Sequence, residues 1–267
     1  VIGKRALSEI KKLKPGQAIL LDNVRKLKEE FKPSKNNKLV NILSENADYY
    51  VNDAFSVMHR DQTSIVSFPS VLKSAIGPNV ENELKNIDKL KSRLNGCIFI
   101  LGGRKIKDVS LLLNQKKILS TGILSLIALK IKGHHLGKEE KILKKEFEYI
   151  KDIKKNIVNI QTPIDLAIDN KGKRKEVCVN ELPTNDLILD IGKKTIEAYC
   201  EQIKKAKAIF FKGAVGKIED KGFTYGTKEI LNAISKSKAF SVIAGGSSAT
   251  SVEKFKINKK SISYISL

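Results

Sequence analysis

Residues 97–105 read CIFILGGRK, and this stretch decides the fold because its apolar run ends abruptly in two glycines. Most of the stretches that repeat this pattern are followed by a helical segment. Strand, glycine loop and helix in repeated order predict an α/β protein with a parallel sheet. The further stretches are ILSTGIL at 118–124, LILDIGKK at 187–194, AIFFKGAVG at 208–216 and FSVIAGGSS at 240–248.

The glycines at these strand ends have two interpretations. Glycine lets a backbone approach a ligand closely, and the helix that follows offers unpaired N–H groups to a phosphate. Glycine also serves simply to turn the chain. Because the carboxyl ends of parallel strands meet at one edge of a sheet, the five loops together favour a nucleotide or phosphate ligand. The sequence contains no Walker A motif and no GxGxxG, which excludes the common phosphate loops.

The charge of the chain raises the question of an anionic partner. The net charge is +21, from 50 basic and 29 acidic residues, which is typical of proteins that bind nucleic acid or anionic membranes. The basic residues are spread along the whole chain, however, and no basic stretch is interleaved with aromatic residues. We therefore expect a solvated basic surface, with neither nucleic acid nor membrane as a partner. A basic nucleic-acid-binding protein stays as a further hypothesis.

Length and cysteine usage indicate the class of protein. A chain of 267 residues predicts one large domain or two smaller ones. Cys97, Cys178 and Cys200 are far apart and lie in or beside apolar runs, which is typical of reduced thiols and predicts a cytoplasmic protein. No apolar run approaches the roughly 20 residues that span a bilayer. Because the chain begins with Val1 and stops in a strand-like YISL, we expect both ends to be cut.

The first third of the chain predicts further elements. QAILLDNVR at 17–25 reads as a short apolar strand, and a helix is expected from Asn37 to Asn46. Residues 80–94 carry Leu and Ile at helical spacing, and the glycine-ended strands begin directly after them. We place the domain boundary there.

VNDAFSVMHR at 51–60 follows a Tyr-Tyr-Val run that predicts a buried strand. Its polar residues include Asn52, Asp53, His59 and Arg60. Polar groups at the end of a strand are often ligand contacts in open α/β sheets. Alternatively, Asn52 and Asp53 only bond their own backbone in a turn.

Five motifs along the chain carry a resemblance to a known family. They are LLDNVR at 20–25, VNDAFSVMHR at 51–60, LGGRKIKD at 101–108, LDIGKKTIE at 189–197 and KGAVGKIEDKGFTYGT at 212–227. In the order of these motifs and roughly in their spacing, the sequence resembles phosphoglycerate kinases, in particular their archaeal branch, over essentially its whole length.

The resemblance implies two Rossmann-like lobes with parallel sheets, joined by a helical hinge. It divides the chain into the C-terminal part of an acid-binding N-lobe at 1–79, a hinge helix at 80–95 and a nucleotide-binding C-lobe at 96–267.

The resemblance also implies the reaction. The family is a glycolytic kinase that transfers a phosphoryl group between ATP or ADP and 3-phosphoglycerate or 1,3-bisphosphoglycerate. It implies Mg²⁺ bound with ATP or ADP as the cofactor, and a monomer is expected. Closure of the lobes about the hinge would exclude water and so protect the acyl phosphate from hydrolysis.

The resemblance assigns the acid's phosphate to two arginines. Arg25 matches the arginine of the family's Glu-Asn-Val-Arg motif, and Arg60 matches the one that follows its Asn-Asp-Ala-Phe strand end. A guanidinium fork pairs two oxygens of a phosphate at once, which a lysine ammonium does less well. His59 is interpreted as a residue that orients Arg60.

The nucleotide and the transferred group are assigned to the second lobe. Lys105 matches the lysine of the family's Gly-Gly-Ala-Lys loop, which contacts the transferring phosphoryl group, although a merely solvated lysine is the alternative. Glu219 matches the glutamate that accepts the ribose hydroxyls. The resemblance assigns the phosphate loop at a helix N-terminus to Gly245, Gly246, Ser247 and Ser248.

Several residues depart from the family pattern. Lys212 stands where Asn is expected, Ala214 where Pro is, and Ile123 where a second glycine is. Arg104 replaces a small residue before Lys105. No protein side chain is predicted as a metal ligand, because Ser247 replaces the Asp or His of the family. The nucleotide's own phosphates are expected to hold Mg²⁺.

Two family segments are expected outside the sequence. An Asp-Phe-Asn strand and a Ser-His-Leu-Gly-Arg loop should precede Val1, and a Gly-Gly-Gly-Ala loop should follow Leu267. The N-lobe is therefore expected to be incomplete, and the chain alone to have little activity. The alternative hypothesis is a diverged paralogue that binds nucleotide without catalysis.

Overall fold

The structure is a computed structural model and describes residues 2–266. The chain separates into two compact units, one up to Ile87 and one from Asp88 onward. The boundary lies inside the helix Pro78–Lys91, which overlaps the predicted hinge at 80–95. The hinge role and the lobe roles stay predictions.

The first unit is a small α/β body. Its two strands pair in parallel, with Tyr49 opposite Lys73. Tyr50 stacks on Phe68 with ring centroids 5.6 Å apart, beside the buried Leu39. The elements are α1 (Lys4–Lys11), α2 (Lys38–Ser44), β1 (Tyr49–Asn52), α3 (Thr63–Val66), β2 (Lys73–Ile76) and α4 (Pro78–Lys91).

The first unit confirms one predicted element and corrects two. The helix expected from Asn37 to Asn46 is α2. The strand β1 exists, but it is not buried: Tyr49 is 68% and Val51 56% exposed, because alternate strand residues face opposite sides and the core covers only one. Within residues 2–266 no strand forms at 17–23, since no neighbouring strand offers that segment a hydrogen-bond ladder.

The second unit is built on a parallel sheet, as the glycine-ended runs predict. Within residues 2–266, six strands pair in the order β11-β10-β9-β3-β4-β5, and every pair is parallel. Successive residues of β3 enter different cores, Phe99 one cluster and Ile100 the other, so both faces of the sheet are covered. The strands of the unit are β3 (Cys97–Leu101), β4 (Ile118–Ser120), β5 (Ile160–Gln161), β6 (Asp165–Asn170), β7 (Lys173–Cys178), β8 (Leu187–Ile191), β9 (Ala208–Lys212), β10 (Phe240–Ala244) and β11 (Tyr264–Ser266).

Helices separate most of these strands along the chain and supply the buried residues on the two sides of the sheet. They are α5 (Gly122–Ile131), α6 (Glu139–Leu143), α7 (Ile150–Lys155), α8 (Lys193–Lys204), α9 (Tyr225–Lys236) and α10 (Gly246–Lys254).

One of the five glycine-ended runs does not join the parallel sheet. LILDI at 187–191 is β8, which pairs antiparallel with β6. The strands β6 and β7 form a hairpin whose turn contains Gly172, with φ +79°, and β8 pairs along the other side of β6. The expectation that five loops meet at one sheet edge is therefore wrong for this run.

All three cysteines are free. Burial raises the pKa of Cys97 to about 12, and burial together with the nearby Glu229 raises that of Cys200 to about 11. Cys178 is exposed. The three thiols therefore lie in very different surroundings.

Candidate active site

The loops that follow β3, β4 and β9 hold one another at the carboxyl edge of the parallel sheet. Gly102 N donates to Lys212 O at 2.9 Å, and Gly103 N donates to Ala214 O at 2.9 Å. Gly122 N donates to the loop after β9 as well, to Val215 O at 3.1 Å. Three segments that are distant in sequence thus form one platform.

The glycines of this platform make room for neighbouring backbone. A Cβ atom at Gly213 would lie 2.3 Å from Gly102 O, and one at Gly122 would lie 2.6 Å from Gly103 O. Both separations are too short for any side chain, so the close approach of neighbouring backbone is enough to explain these glycines without a ligand. At Gly245, by contrast, a Cβ would meet nothing within 4 Å.

The start of α10 has the open space that the platform lacks. Gly245 precedes the helix with φ +89°, and a Cβ at Gly246 would also meet nothing within 4 Å. The amides of a first helical turn have no acceptor within the helix. Ser247 is exposed, whereas Ser248 is fully buried and its Oγ accepts a hydrogen bond from Gly213 N at 2.8 Å. The Ser248 side chain therefore joins the helix to the platform.

Three charged side chains lie on the loops at this edge. Arg104 Nη1 lies 3.9 Å from Glu219 Oε1, and both side chains are exposed. Lys105 is exposed too, and within residues 2–266 its ammonium has neither a hydrogen bond nor an ion pair. The next residue fixes the backbone, since Ile106 is buried and its N–H donates to Glu146 Oε2 at 2.8 Å. Lys105 is thus a free cation on an anchored loop.

Three of the residues that the resemblance marks as departures lie on this platform, namely Ile123, Lys212 and Ala214. Ile123 is half-buried and packs against one core cluster of the unit, beside Gly122. Lys212 ends β9 with its side chain half-buried. The carbonyl of Ala214 accepts a hydrogen bond from Gly103 N, which ties this position into the platform.

A separate cavity of about 330 Å³ in the first unit brings the two predicted arginines together. Arg25 and Arg60 both line it, with polar neighbours that include Asn23 and Gln62. Within the described residues neither guanidinium has a hydrogen-bond or ion-pair partner. Two unpaired cations on one cavity are suited to bind an anion with several oxygens.

The polar residues of VNDAFSVMHR separate into structural and free groups. Asn52 Oδ1 accepts from Ala54 N at 3.1 Å, which is the local turn. Asp53 Oδ1 accepts from Val80 N at 3.0 Å and so caps the start of α4. Within residues 2–266 no hydrogen bond joins the exposed His59 to Arg60. Arg60 is therefore the ligand candidate of this stretch.

Sequence reasoning missed the wall that supports the cavity. Glu30 is buried and accepts from Ser64 N at 2.9 Å and from Ser64 Oγ at 2.6 Å. Asn37 Nδ2 donates to Glu29 O and Lys32 O, both at 2.8 Å. The Glu30 bonds join residues 34 positions apart, whereas those of Asn37 close a local loop 8 and 5 positions back along the chain. The sequence carries no signal for either set beyond the polar residue types.

The described residues hold no side-chain metal centre. Within residues 2–266 no group of three or more His, Cys, Asp or Glu side chains is placed to bind a metal ion. Ser247, at the open start of α10, carries a single neutral hydroxyl. Mg²⁺ prefers several oxygen ligands, often phosphate oxygens, and a single hydroxyl does not supply them.

Comparisons with known proteins agree with one another. The profile of the phosphoglycerate kinase family matches residues 1–267. The phosphoglycerate kinase of Methanothermus fervidus is 41% identical over 286 aligned residues, which cover 100% of this chain and 69% of that protein. The one from Methanothermobacter thermautotrophicus is 35% identical over 286 residues, with shares of 100% and 69%.

Solved structures give the same match. The crystal structure of phosphoglycerate kinase from Pyrococcus horikoshii superposes with a TM-score of 0.89 at 32% identity, over 99% of this chain and 71% of that one. The phosphoglycerate kinase of Coxiella burnetii has a TM-score of 0.80 at 26% identity, over 96% and 69% of the two chains. The α/β architecture with parallel sheets is shared throughout.

Proposed function

The chain belongs to the phosphoglycerate kinase family, and we propose that its two units divide the work of that reaction. Phosphoglycerate kinase is a glycolytic transferase that moves a phosphoryl group between ATP and the carboxylate of 3-phosphoglycerate. In our proposal the unit up to Ile87 binds the acid, and the unit from Asp88 onward binds the nucleotide.

The acid's phosphate binds in the cavity lined by Arg25 and Arg60. The observation that carries this assignment is that both arginines line the same 330 Å³ cavity, while within the described residues neither guanidinium has a protein partner. Each charge-assisted bond to a phosphate oxygen contributes roughly 1.5–3 kcal/mol. Asn23 and Gln62 supply further polar groups on the same cavity.

The nucleotide binds along the carboxyl edge of the parallel sheet. Its phosphate oxygens accept hydrogen bonds from the free backbone N–H groups of Gly246 and Ser247, where open space adjoins the start of α10. The Ser248 contribution is its backbone, because its hydroxyl is bonded to Gly213. The carboxylate of Glu219, which is exposed on the loop after β9, accepts hydrogen bonds from the ribose hydroxyls.

Lys105 is the catalytic cation. Phosphoryl transfer depends on positioning and on stabilising the charge of the transferring group, rather than on covalent catalysis by the protein. The free ammonium of Lys105, on a backbone anchored through Ile106, is suited to that role. Mg²⁺ enters with ATP or ADP as part of the substrate and neutralises its phosphates.

Our proposal extends to the location and the oligomeric state of the protein. Within residues 2–266 no helix reaches the length and apolar character that crossing a membrane requires. We place the protein in the cytoplasm, as a monomer. A glycolytic enzyme works where its diffusible substrates are.

Separate binding measurements test this division. The protein and its variants are titrated with 3-phosphoglycerate alone and with MgADP alone. We expect Arg60→Ala to weaken only the binding of 3-phosphoglycerate, and Glu219→Ala to weaken only the binding of MgADP. A coupled assay of ATP-dependent turnover separates a working kinase from a protein that binds nucleotide without catalysis. Equal effects of either variant on both ligands would contradict the proposal.

A further inference from the structure

A buried cluster of charged side chains lies behind the loop that carries Glu219. Its centre is Arg174 on β7, whose Nη1 donates to Asp190 Oδ2 at 2.8 Å and whose Nη2 donates to Ile191 O at 2.9 Å. The Asp190 side chain is fully buried, and that of Arg174 is 15% exposed. Because the cost of desolvation offsets much of a buried ion pair's attraction, the cluster is better explained by what it holds in place.

Residues 216–226 close around the Asp190 carboxylate at both ends. Gly226 N donates to Asp190 Oδ2 at 2.8 Å. A Cβ atom at Gly226 would lie 2.3 Å from Asp190 Oδ1, and one at Gly216 would lie 2.5 Å from the Asp190 carboxyl group. Only glycine fits at these two positions, so the segment touches the carboxylate where it leaves the sheet edge and where it enters α9.

Arg174 also contacts the middle of the same segment. Its guanidinium carbon lies 5.9 Å from the centroid of the Phe223 ring and 5.6 Å from that of Tyr225. Cations at such distances over aromatic rings are attracted to them, more strongly where water is excluded. Phe223 is buried. One guanidinium therefore links the carboxylate at the ends of the segment to two rings within it.

We propose that Arg174 and Asp190 are positioning residues for the nucleotide, because they hold residues 216–226 so that Glu219 is presented to the ribose. This inference rests on the proposed role of Glu219 as the ribose ligand. A carboxylate on an unanchored loop would lose conformational entropy when it binds, whereas a loop held at both ends has lost that entropy already.

The charge state of Asp190 agrees with this role at neutral pH. Burial raises the pKa of Asp190 to about 6, while Arg174 and the N–H groups of Gly226 and Ile191 favour its charged form. At pH 7 and above the carboxylate is therefore mostly ionised. It can then accept hydrogen bonds from both the Arg174 guanidinium and the Gly226 N–H.

Discrimination between ADP and 2′,3′-dideoxy-ADP tests the inference, because only the ribose hydroxyls differ. With Mg²⁺ present, the wild-type protein is expected to bind ADP about tenfold more tightly, the ratio typical of a hydrogen bond to a charged group. The ratio should fall to near one in Glu219→Ala. In Arg174→Lys and Asp190→Asn it should fall below about threefold, whereas a general loss of stability would weaken both nucleotides equally.

Glu176→Gln is the matched control. Glu176 also accepts from Arg174, at 2.8 Å, but its other bond goes to Lys193 N at the start of α8. Within the described residues no hydrogen bond joins it to residues 216–226. Its variant should therefore keep the wild-type ratio.

Tyr225→Leu covers the case in which a variant of the buried pair fails to fold. Tyr225 is partly exposed, and its replacement removes only one ring contact of Arg174, so an intermediate ratio is expected. If Glu219→Ala abolishes discrimination while the other variants keep it, the positioning role is wrong and the role of Glu219 stands. If the wild-type protein does not discriminate, both are wrong.

Discussion

Arg104 and Glu219 meet across two loops at the carboxyl edge of the parallel sheet, with Nη1 of one 3.9 Å from Oε1 of the other. Their side chains are 83% and 60% exposed, and such exposed pairs contribute little to stability. The pair does have a consequence for binding. The carboxylate assigned to the ribose lies beside a cation even before a nucleotide arrives.

Replacing the two partners separately is expected to give unequal results. Glu219→Ala should raise the KM for ATP about tenfold, because a charge-assisted hydrogen bond is lost. Arg104→Ala should change it by less than about threefold, since an exposed pair is weak and screened by salt. Steady-state kinetics with ATP as the varied substrate measures both. A larger effect at Arg104 would make the guanidinium, rather than the carboxylate, the nucleotide ligand.

In the cavity lined by Arg25 and Arg60, we expect that a lysine cannot replace an arginine although it carries the same charge. Arg60→Lys keeps the charge but loses the fork that pairs two phosphate oxygens, so the KM for 3-phosphoglycerate should rise about tenfold. Lys26→Ala is the control, because the Lys26 ammonium lies 2.8 Å from Asp22 Oδ2 and does not line the cavity. Unchanged KM in Arg60→Lys would remove this arginine from the acid site.

Lys105 is expected to act on turnover. Lys105→Ala should lower kcat by about 10²–10³-fold, the usual loss when one donor to the transition state is removed. The dissociation constant for 3-phosphoglycerate should stay within about twofold. Lys107→Ala, also exposed and two positions away, should leave both quantities near the wild-type values. A variant at Lys105 with normal kcat would make it a solvated surface lysine.

The three thiols should react at different rates. Burial keeps Cys97 and Cys200 protonated, with pKa values of about 12 and about 11, while Cys178 is exposed. The thiolate is the reactive form. An aromatic disulfide reagent at pH 8 should therefore label Cys178 first in the native protein, and all three cysteines after denaturation. Fast labelling of Cys97 would contradict its buried position in β3.

The free energy of unfolding should depend on pH through the titration of Asp190. Its pKa is raised from 3.8 to about 6 in the folded protein, so between about pH 4 and pH 6 the folded state binds more protons than the unfolded state. The contribution of Asp190 to the free energy of unfolding is therefore greatest below pH 4 and falls, by about 3 kcal/mol, as the pH rises through 6.

Asp190→Asn removes this dependence, because the amide does not titrate. Thermal unfolding of both proteins at pH 4.5 and at pH 7 tests this. At each pH, the midpoint temperature of the variant is subtracted from that of the wild type. This difference should be smaller at pH 7. An equal difference at both pH values would mean that Asp190 titrates outside this window.

The sequence predicted the parallel sheet better than the details around it. Apolar runs that end in glycine marked β3, β4, β9 and β10, because buried parallel strands are continuously apolar. The same pattern misled at LILDI, since an apolar run does not encode the direction of its neighbours. A strand at 17–23 failed for a related reason, because strands form only where a partner strand is present.

The candidate site shows a similar division. Arg25, Arg60 and Glu219 could be proposed from the sequence because they lie within local motifs that resemble those of the family, and their roles stay predictions. Glu30 was not found, because its role depends on Ser64, 34 residues away. Arg174 was missed for the same reason, as its partner Asp190 is 16 residues away on another strand. Contacts between distant segments leave little trace in local patterns.

The contact of Gly213 with Gly102 limits how this protein can change over time. The backbones are too close for a side chain at either the Gly213 or the Gly122 position, so a replacement in one loop would require the other loops to move with it. Side chains that point away from these contacts are under no such restriction. Arg104 is one such position, because its side chain is 83% exposed, so a change there can leave the shape of the platform unaltered.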